Sequence, residues 1–273
     1  MGTAKKQYRI GGQEIDAFYA WFDAYVKKFH SNDPGIQENI NLKEGHTRRV
    51  CENIRLIGKK LGLGNSGLRL AEAMALFHDI GRFEQFNTYG SFNDKETEDH
   101  AELSLRVLRK AKVLEKLPVR ERDFIRRAIG LHNKKTLQKD EEPEECLFYS
   151  KLLRDADKLD ILKVITENYG RGNGNPALEL GLPDTPGYSR YFIEGILKSK
   201  VLDSRQLKNL NDLKLLQLGW IFDINFQPTI EIIYKNRYMD KIIDALPKNK
   251  DMEKVRKHVN SYIEKRVGGG SSE

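Results

Sequence analysis

Apolar residues recur at helical spacing along most of the chain. Segment 16–29 is an aromatic example, in which Phe18, Trp21, Phe22 and Tyr25 lie three or four positions apart. The same periodicity predicts helices over about 46–61, 68–86, 100–117, 120–132 and 147–168, each bounded by Gly, Asn, Asp or Pro. No two alternating segments are joined by a tight Asn-Gly or Asp-Gly turn, as a hairpin would require. The pattern therefore predicts an all-α bundle.

The regular pattern is interrupted at 169–190, which holds five glycines and three of the eight prolines. Structureless segments of that length usually have a role in compact proteins, so we expect a Gly/Pro-rich loop there. Helical periodicity returns afterwards. The expected organisation is a helical domain over 1–168, the loop over 169–190, and a C-terminal helical extension over 191–267 that packs on the same domain. A flexible tail is expected over 268–273.

The composition excludes two broad classes of protein. The chain has 273 residues, of which 39% are hydrophobic and 32% are charged. No run approaches the ~20 apolar residues of a membrane span, and the N-terminal residues include no apolar stretch typical of a secretion signal. Cys51 and Cys146 are far apart and form no CxxC pair, which excludes a disulfide scaffold. We expect a cytoplasmic protein with no membrane partner, and the pattern leaves the oligomeric state open.

Positive charge is concentrated in segment 105–135. Eleven basic side chains face three acidic ones there, a local balance of +8 in a chain whose net charge is +7. Such a segment can attract a polyanion, whether a nucleotide or a nucleic acid. A solvated helix face explains the same charges equally well, so both interpretations stay open.

Four of the six histidines fall inside apolar stripes rather than on polar faces: His46, His78, His100 and His132. Asp157 is likewise in line with Leu153, Ile161 and Val164. A buried carboxylate costs several kcal/mol unless a cation meets it. Helical bundles build metal sites from imidazoles and carboxylates on separate helices. A metal site is therefore favoured, with an ion pair to Arg or Lys as the alternative.

The order of these residues carries a resemblance to a known family. His46, then His78-Asp79, then Asp157 within the string DADKLD at 155–160, resemble the HD superfamily of metal-dependent phosphohydrolases. Local strings match as well: HTRRV at 46–50, FHDIGR at 77–82, DHAE at 99–102 and LHN at 131–133. The resemblance covers about 40–165. It implies an all-α HD-domain bundle, with 1–168 as the metal-binding domain and an additional C-terminal helical region.

The resemblance also implies a set of metal ligands, namely His46, His78, Asp79 and Asp157. Asp157 is preferred because family members place this ligand directly before a basic residue, here Lys158. Asp155 and Asp160 are the alternatives. If they are not ligands, we expect Asp155 to accept a hydrogen bond from one of the metal ligands. We expect Asp160 to form a salt bridge on the helix surface.

Further residues follow from the same resemblance. In similar proteins with two metals, histidines placed like His100 and His132 are ligands of the second ion, and the aspartate bridges the two ions. In one-metal members they face the substrate phosphate. The expected catalytic residues are Asp79, Arg82 and Lys158. The expected substrate-binding residues are Arg49, Arg82, His100, His132, Asn133 and Lys158. Surface salt bridges are the alternative role for Arg82 and Lys158.

The implied activity is hydrolysis of a phosphate ester or phosphodiester of a small molecule, with a nucleotide or dinucleotide favoured as the substrate. Mixed His and carboxylate ligands suit Mn, Fe, Co, Ni or Zn, one or two ions per chain, better than Mg. A di-iron oxygenase using the same site is the first alternative. A non-enzymatic nucleic-acid-binding module is the second, and it is not favoured because 105–135 lacks the aromatic residues that stack on bases.

Overall fold

A computed structural model describes residues 8–137, 143–171 and 179–268. All regular structure in these ranges is helical, and no strand occurs among them, so the all-α prediction is confirmed. The chain divides into two compact units, Met1–Asp160 and Ile161–Glu273. No helix in the described ranges is both long enough and apolar enough to cross a membrane.

Within residues 8–137 and 143–160, the first unit is built from six α-helices and the beginning of a seventh. They are α1 (Gly12–Val26), α2 (Pro34–Lys60), α3 (Asn65–Phe77), α4 (Gly81–Tyr89), α5 (His100–Ala111), α6 (Val119–Leu131) and α7 (Glu144–Arg171). The start of α2 follows from local chemistry: Asp33 accepts a hydrogen bond from the Ile36 N–H at 2.9 Å, and Pro34 occupies the first helical position.

The aromatic residues of α1 pack into the core of this unit. Phe18 meets the ring of Phe77 edge-on at 5.2 Å, and Phe22 meets Phe83 at 6.0 Å. All four rings are buried. Aromatic pairs in this geometry add about 0.5–1.5 kcal/mol beyond the area that they bury. The N-terminal helix is thus fixed to α3 and α4, the helices on either side of the His78-Asp79 turn.

The structure differs from the continuous helix expected over 68–86. α3 ends at Phe77, residues 78–80 form a turn, and α4 begins at Gly81. A Cβ at position 81 would lie 2.5 Å from the Ser104 nitrogen and 2.8 Å from the His100 carbonyl oxygen, so only glycine permits this approach of α4 to α5. Ser104 Oγ also accepts from the Gly81 N–H at 2.9 Å and donates to the His78 carbonyl at 2.9 Å.

Within residues 161–171 and 179–268, the second unit includes the rest of α7 and the helices α8 (Arg190–Leu197), α9 (Leu210–Gly219), α10 (Gln227–Lys235), α11 (Tyr238–Asp244) and α12 (Lys250–Gly268). Its core includes Phe192 and Val259, both fully buried. Asp212, also fully buried, accepts hydrogen bonds from Ser189 N at 2.6 Å and Ser189 Oγ at 2.7 Å. Asp212 of α9 thereby accepts the hydrogen bonds of Ser189, the residue directly before the first turn of α8.

Parts of the expected organisation fall outside the described residues. They are 172–178 of the expected loop and 269–273 of the expected tail. Within the described part, α7 continues to Arg171 and residues 182–189 lie outside any helix. The division into 1–168, 169–190 and 191–267 stays a prediction, as does the packing of the C-terminal extension.

Candidate metal centre

Six side chains converge in the first unit from five places along the chain. His46 comes from α2, His78 and Asp79 from the turn after α3, His100 from the start of α5, His132 from the end of α6, and Asp157 from α7. Asp157 is half-buried and the other five are buried. These are the six residues that the sequence proposed as metal ligands, and the fold brings all of them together.

The carboxylate of Asp79 lies between two groups of ligands. Its Oδ2 is 3.7 Å from His46 Nε2 and 3.9 Å from His78 Nε2. Its Oδ1 is 3.4 Å from His100 Nε2 and 3.8 Å from His132 Nε2. We call His46, His78 and Asp157, on the Oδ2 side, the first half-site. His100 and His132, on the Oδ1 side, are the second half-site.

Asp157 closes the first half-site. Its Oδ1 lies 3.1 Å from His46 Nε2 and 3.7 Å from His78 Nε2. Asp155 is fully buried on the same helix, and none of the groups able to share an ion among the described residues includes it. The geometry thus places Asp157, directly before Lys158, at the position where the resemblance puts the ligand.

Each of the four histidines has its Nδ1 next to an acceptor. The partners are Asp160 Oδ2 for His46 at 2.7 Å, the Ala75 carbonyl for His78 at 2.7 Å, Asp94 Oδ2 for His100 at 2.5 Å, and the Ile129 carbonyl for His132 at 2.6 Å. Carbonyl and carboxylate oxygens only accept, so Nδ1 carries the proton in the neutral ring. In its neutral form each ring therefore presents a lone pair on Nε2 to the cluster, which is the arrangement typical of metal-binding histidines.

Two observations indicate that a cation fits this centre. His78 Nε2 is buried and has no hydrogen-bond partner among the described residues. His100 Nε2 and His132 Nε2 lie 2.9 Å apart, although both Nδ1 atoms already hold the ring protons. Two lone pairs repel at that distance unless a positive group lies beside them. Ions bound at about 2.0–2.2 Å hold neighbouring ligand atoms roughly 3–3.5 Å apart, close to the separations found here.

The carboxylates of the centre are ionised at neutral pH. Burial by itself would raise the pKa of Asp79, but the nearby Lys43, His78 and Arg82 hold it well below its usual range. Burial likewise opposes ionisation of Asp157, and the nearby His46 and His78 hold its pKa well below the ordinary value. The centre therefore presents two negative charges to a cation.

The histidines differ in protonation. Burial lowers the pKa of His132 to about 3 and also lowers that of His100, so both rings are neutral at pH 7. Burial would lower the pKa of His46 too, but hydrogen bonds to Asp157 and Asp160 raise it to about 9. A metal ion at the first half-site must therefore displace the Nε2 proton of His46.

A comparison with known families agrees with this geometry. The family model described as HD domain matches residues 44–162, a range that includes all six converging residues. Residues 44–162 form an HD domain. HD domains bind divalent metal ions, and the superfamily comprises metal-dependent hydrolases. No curated protein and no solved structure matches the chain at a significant level.

Behind the ligands, Asp160 differs from its sequence-based expectation. A surface salt bridge was expected, but Asp160 is fully buried in the HD domain. It accepts from His46 and also from Arg49, whose Nε lies 2.6 Å from Oδ1 and whose Nη2 lies 3.1 Å from Oδ2. The surface expectation was wrong because the stripe of α7 that carries Asp157 and Asp160 faces inward.

Arg82 is held by the loop that precedes α5. Its Nη1 lies 2.8 Å from Gln85 Oε1, 2.6 Å from the Phe92 carbonyl and 2.8 Å from Asp94 Oδ1. Its Nε lies 3.6 Å from Asp79 Oδ1. Arg82 thus adjoins the centre and also orients Asp94, the acceptor behind His100. Sequence reasoning missed Asp94, since a loop residue has no periodic pattern.

The other proposed substrate-binding residues are found in two places. Asn133 Nδ2 donates to Asp99 Oδ1 at 2.8 Å, next to the first turn of α5. Lys158 is half-buried on α7, directly after Asp157. The roles of Arg49, Asn133 and Lys158 toward a substrate stay predictions.

Five of the eleven basic residues in segment 105–135 form ion pairs with acidic side chains. Arg122 and Arg126 both reach Glu115, at 2.5 and 3.1 Å, and Lys134 reaches Asp99 at 2.9 Å. Within the described part of the chain, the exposed basic residues without an ion pair cluster near the end of α5 and are Arg109, Lys110, Lys112 and Lys116. The field of this segment is consequently weaker than its composition indicates.

Proposed function

We propose that this protein is a metal-dependent phosphohydrolase acting on a phosphate ester or phosphodiester of a small molecule, with a nucleotide or dinucleotide as the first candidate. The position of Asp79 between the two half-sites carries the proposal. A divalent ion supplies two things that phosphate-ester hydrolysis needs, a water nucleophile at neutral pH and neutralisation of charge on the phosphoryl oxygens.

The residues of the HD domain divide into three tasks. His46, His78, Asp79 and Asp157 hold the first ion. His100 and His132 hold a second one together with Asp79. The chemistry of these N and O donors favours Mn, Fe, Co, Ni or Zn. Arg82, which adjoins Asp79 Oδ1, and Lys158, which follows Asp157, provide positive charge for the substrate phosphate.

The nitrogen lone pairs of the second half-site favour a centre with two ions over a centre with one. His100 Nε2 and His132 Nε2 both point at Asp79 Oδ1, and the pKa values of both rings are lowered. Neutral imidazoles are poor partners for a phosphate dianion because they offer at most one hydrogen, here already placed on Nδ1. They are good partners for a second cation.

The test is phosphate release by protein purified without chelator or nickel resin, after its metal content has been measured by elemental analysis. We expect release from at least one member of a panel of nucleoside mono-, di- and triphosphates and dinucleotides. Chelation should abolish the release, and His78→Ala should abolish both metal binding and turnover. Protein that carries its metal and releases phosphate from no member of the panel would contradict the proposal.

A di-iron oxygenase is the second candidate, because four histidines and Asp157 around the shared carboxylate of Asp79 also suit two irons. Elemental analysis separates the two candidates first. Two irons per chain together with substrate-dependent oxygen consumption would favour the oxygenase. Phosphate release that continues without oxygen would favour the hydrolase.

A further inference from the structure

Lys43 lies beside the metal centre, and no sequence motif singled it out. It is on α2, one turn before His46, and its Nζ is 3.1 Å from Asp79 Oδ2. The same ammonium lies 5.0 Å from the centre of the Phe92 ring. Its side chain is 19% exposed, against 5% for Asp79. Lys43 thus links the shared, buried carboxylate of Asp79 to solvent.

The ammonium of Lys43 has spare hydrogen-bond donors. It carries three N–H groups, and Asp79 is its one hydrogen-bond acceptor among the described residues. Two nearby arginines are each held at several points: Arg49 binds both oxygens of Asp160, and Nη1 of Arg82 lies within reach of three oxygens. The buried Nε of Arg82 has no hydrogen-bond partner among the described residues. Within the described part of the chain, Lys43 has a single hydrogen-bond acceptor, and its stem is flexible, so it can turn to another anion by giving up only that contact.

The contact between Lys43 and Asp79 also conflicts with metal binding. Asp79 Oδ2 is the oxygen that faces His46 and His78, so it is the one that serves an ion at the first half-site. An ion held there would compete with Lys43 for Asp79 Oδ2 and would repel its ammonium. The side chain then needs a new anionic partner within the reach of its flexible stem.

We propose that this partner is the substrate phosphoryl group, which Lys43 binds on the Oδ2 side of Asp79. The inference rests on the proposed function. It adds Lys43 as a substrate-binding residue and states that the phosphoryl group lies on the Oδ2 side of Asp79. Lysine binds phosphate as a compact point charge, and its direct hydrogen bonds to the anion are charge-assisted. The competing role, in which Lys43 only balances the charge of Asp79, predicts no effect on phosphate affinity.

The experiment titrates metal-loaded protein with inorganic phosphate in a calorimeter. A hydrogen bond to a charged group contributes about 1.5–3 kcal/mol, so Lys43→Met should weaken phosphate binding roughly ten- to hundredfold. Its metal content should equal that of the parent. Lys43→Arg, which keeps the charge, should recover part of the affinity. The matched control is Lys59→Met, which replaces an exposed lysine on the same helix. This variant should bind phosphate like the parent.

Each outcome separates the inference from the function on which it rests. Parent protein that releases phosphate from its substrates, with Lys43→Met equal to it in phosphate affinity, would overturn the role of Lys43 and leave the function standing. Loss of metal together with phosphate in Lys43→Met would also overturn that role, since Lys43 would then hold Asp79. Parent protein that binds metal but neither binds nor releases phosphate would overturn the function itself. If Lys43→Met does not fold, Lys43→Gln decides by the same titration.

Discussion

Arg49 and Asp160 form a two-point ion pair behind His46, the first candidate metal ligand along the chain. The guanidinium donates to both carboxylate oxygens, with contacts of 2.6 and 3.1 Å, and Asp160 also accepts from His46 Nδ1 at 2.7 Å. The neighbouring Gly45 makes room, because a Cβ there would lie 2.9 Å from Arg49 Nη1. The ring of His46 is consequently oriented by a carboxylate that is itself fixed from two sides.

This relationship predicts that Arg49→Lys weakens metal binding without unfolding the protein. A lysine cannot reproduce the planar fork of the guanidinium, so Asp160 and His46 lose their fixed orientation. Changes behind metal ligands typically cost about 10–100-fold in affinity, and we expect a loss in that range. Competition with a chelating dye measures it.

Arg48→Lys is the matched control. Arg48 pairs with Asp23 and Glu44 at the surface, where ion pairs are worth ~0–1 kcal/mol, and its replacement should leave metal affinity unchanged. Parent-like metal affinity in Arg49→Lys, combined with a raised KM, would instead support the substrate-binding role expected from the sequence.

The sequence was sufficient to predict the helical fold and the six converging residues. Helical spacing is a local property, and the order of the motifs can be read directly along the chain. It could not predict the turn at 78–80. Residues 70–77 include no helix breaker, and the interruption depends on the contact of Gly81 with Ser104, which is distant along the chain. The positions of Lys43 and Asp94 were missed for the same reason, since each acts through a tertiary contact.

Asp94→Asn should weaken the second half-site selectively. Asp94 holds His100 Nδ1 at 2.5 Å, and an amide loses the charge that strengthens this hydrogen bond. The affinity of the second ion should fall about 10–100-fold, whereas the first ion is retained. Metal titration followed by calorimetry resolves the two binding steps. Glu96→Gln, an exposed acid of the same loop, is the control and should bind both ions like the parent. Equal weakening of both steps in Asp94→Asn would contradict separate half-sites.

The shared position of Asp79 predicts unequal metal losses among ligand variants. His100→Ala removes a ligand of the second half-site only, because His100 shares no ion-binding group with His46, His78 or Asp157, so metal content should fall from near two ions per chain toward one. Asp79→Ala removes a ligand of both half-sites, and metal content should approach zero. Elemental analysis after dialysis measures the difference. A parent that holds a single ion, with equal losses in both variants, would contradict the bridging arrangement.

Gly81→Ala should destabilise the whole HD domain. The added Cβ would lie 2.5 Å from Ser104 N, 2.8 Å from the His100 carbonyl oxygen and 2.9 Å from Leu103 C, all of them backbone atoms of α5 that cannot rotate away. Overpacking usually costs about 1–3 kcal/mol, and contacts with backbone place this variant at the upper end, about 3 kcal/mol. Urea denaturation in the presence of a chelator measures the free energy of unfolding apart from metal binding.

Gly130→Ala provides the comparison for that measurement. A Cβ at this position of α6 meets only Leu105 Cδ1, at an ordinary 3.5 Å, so the substitution should stabilise the helix by about 0.5–1 kcal/mol. The two Gly→Ala changes thus have opposite expected signs although their chemistry is identical. If Gly81→Ala were as stable as Gly130→Ala, α4 and α5 would not be in backbone contact, and the turn that presents His78 and Asp79 would need another explanation.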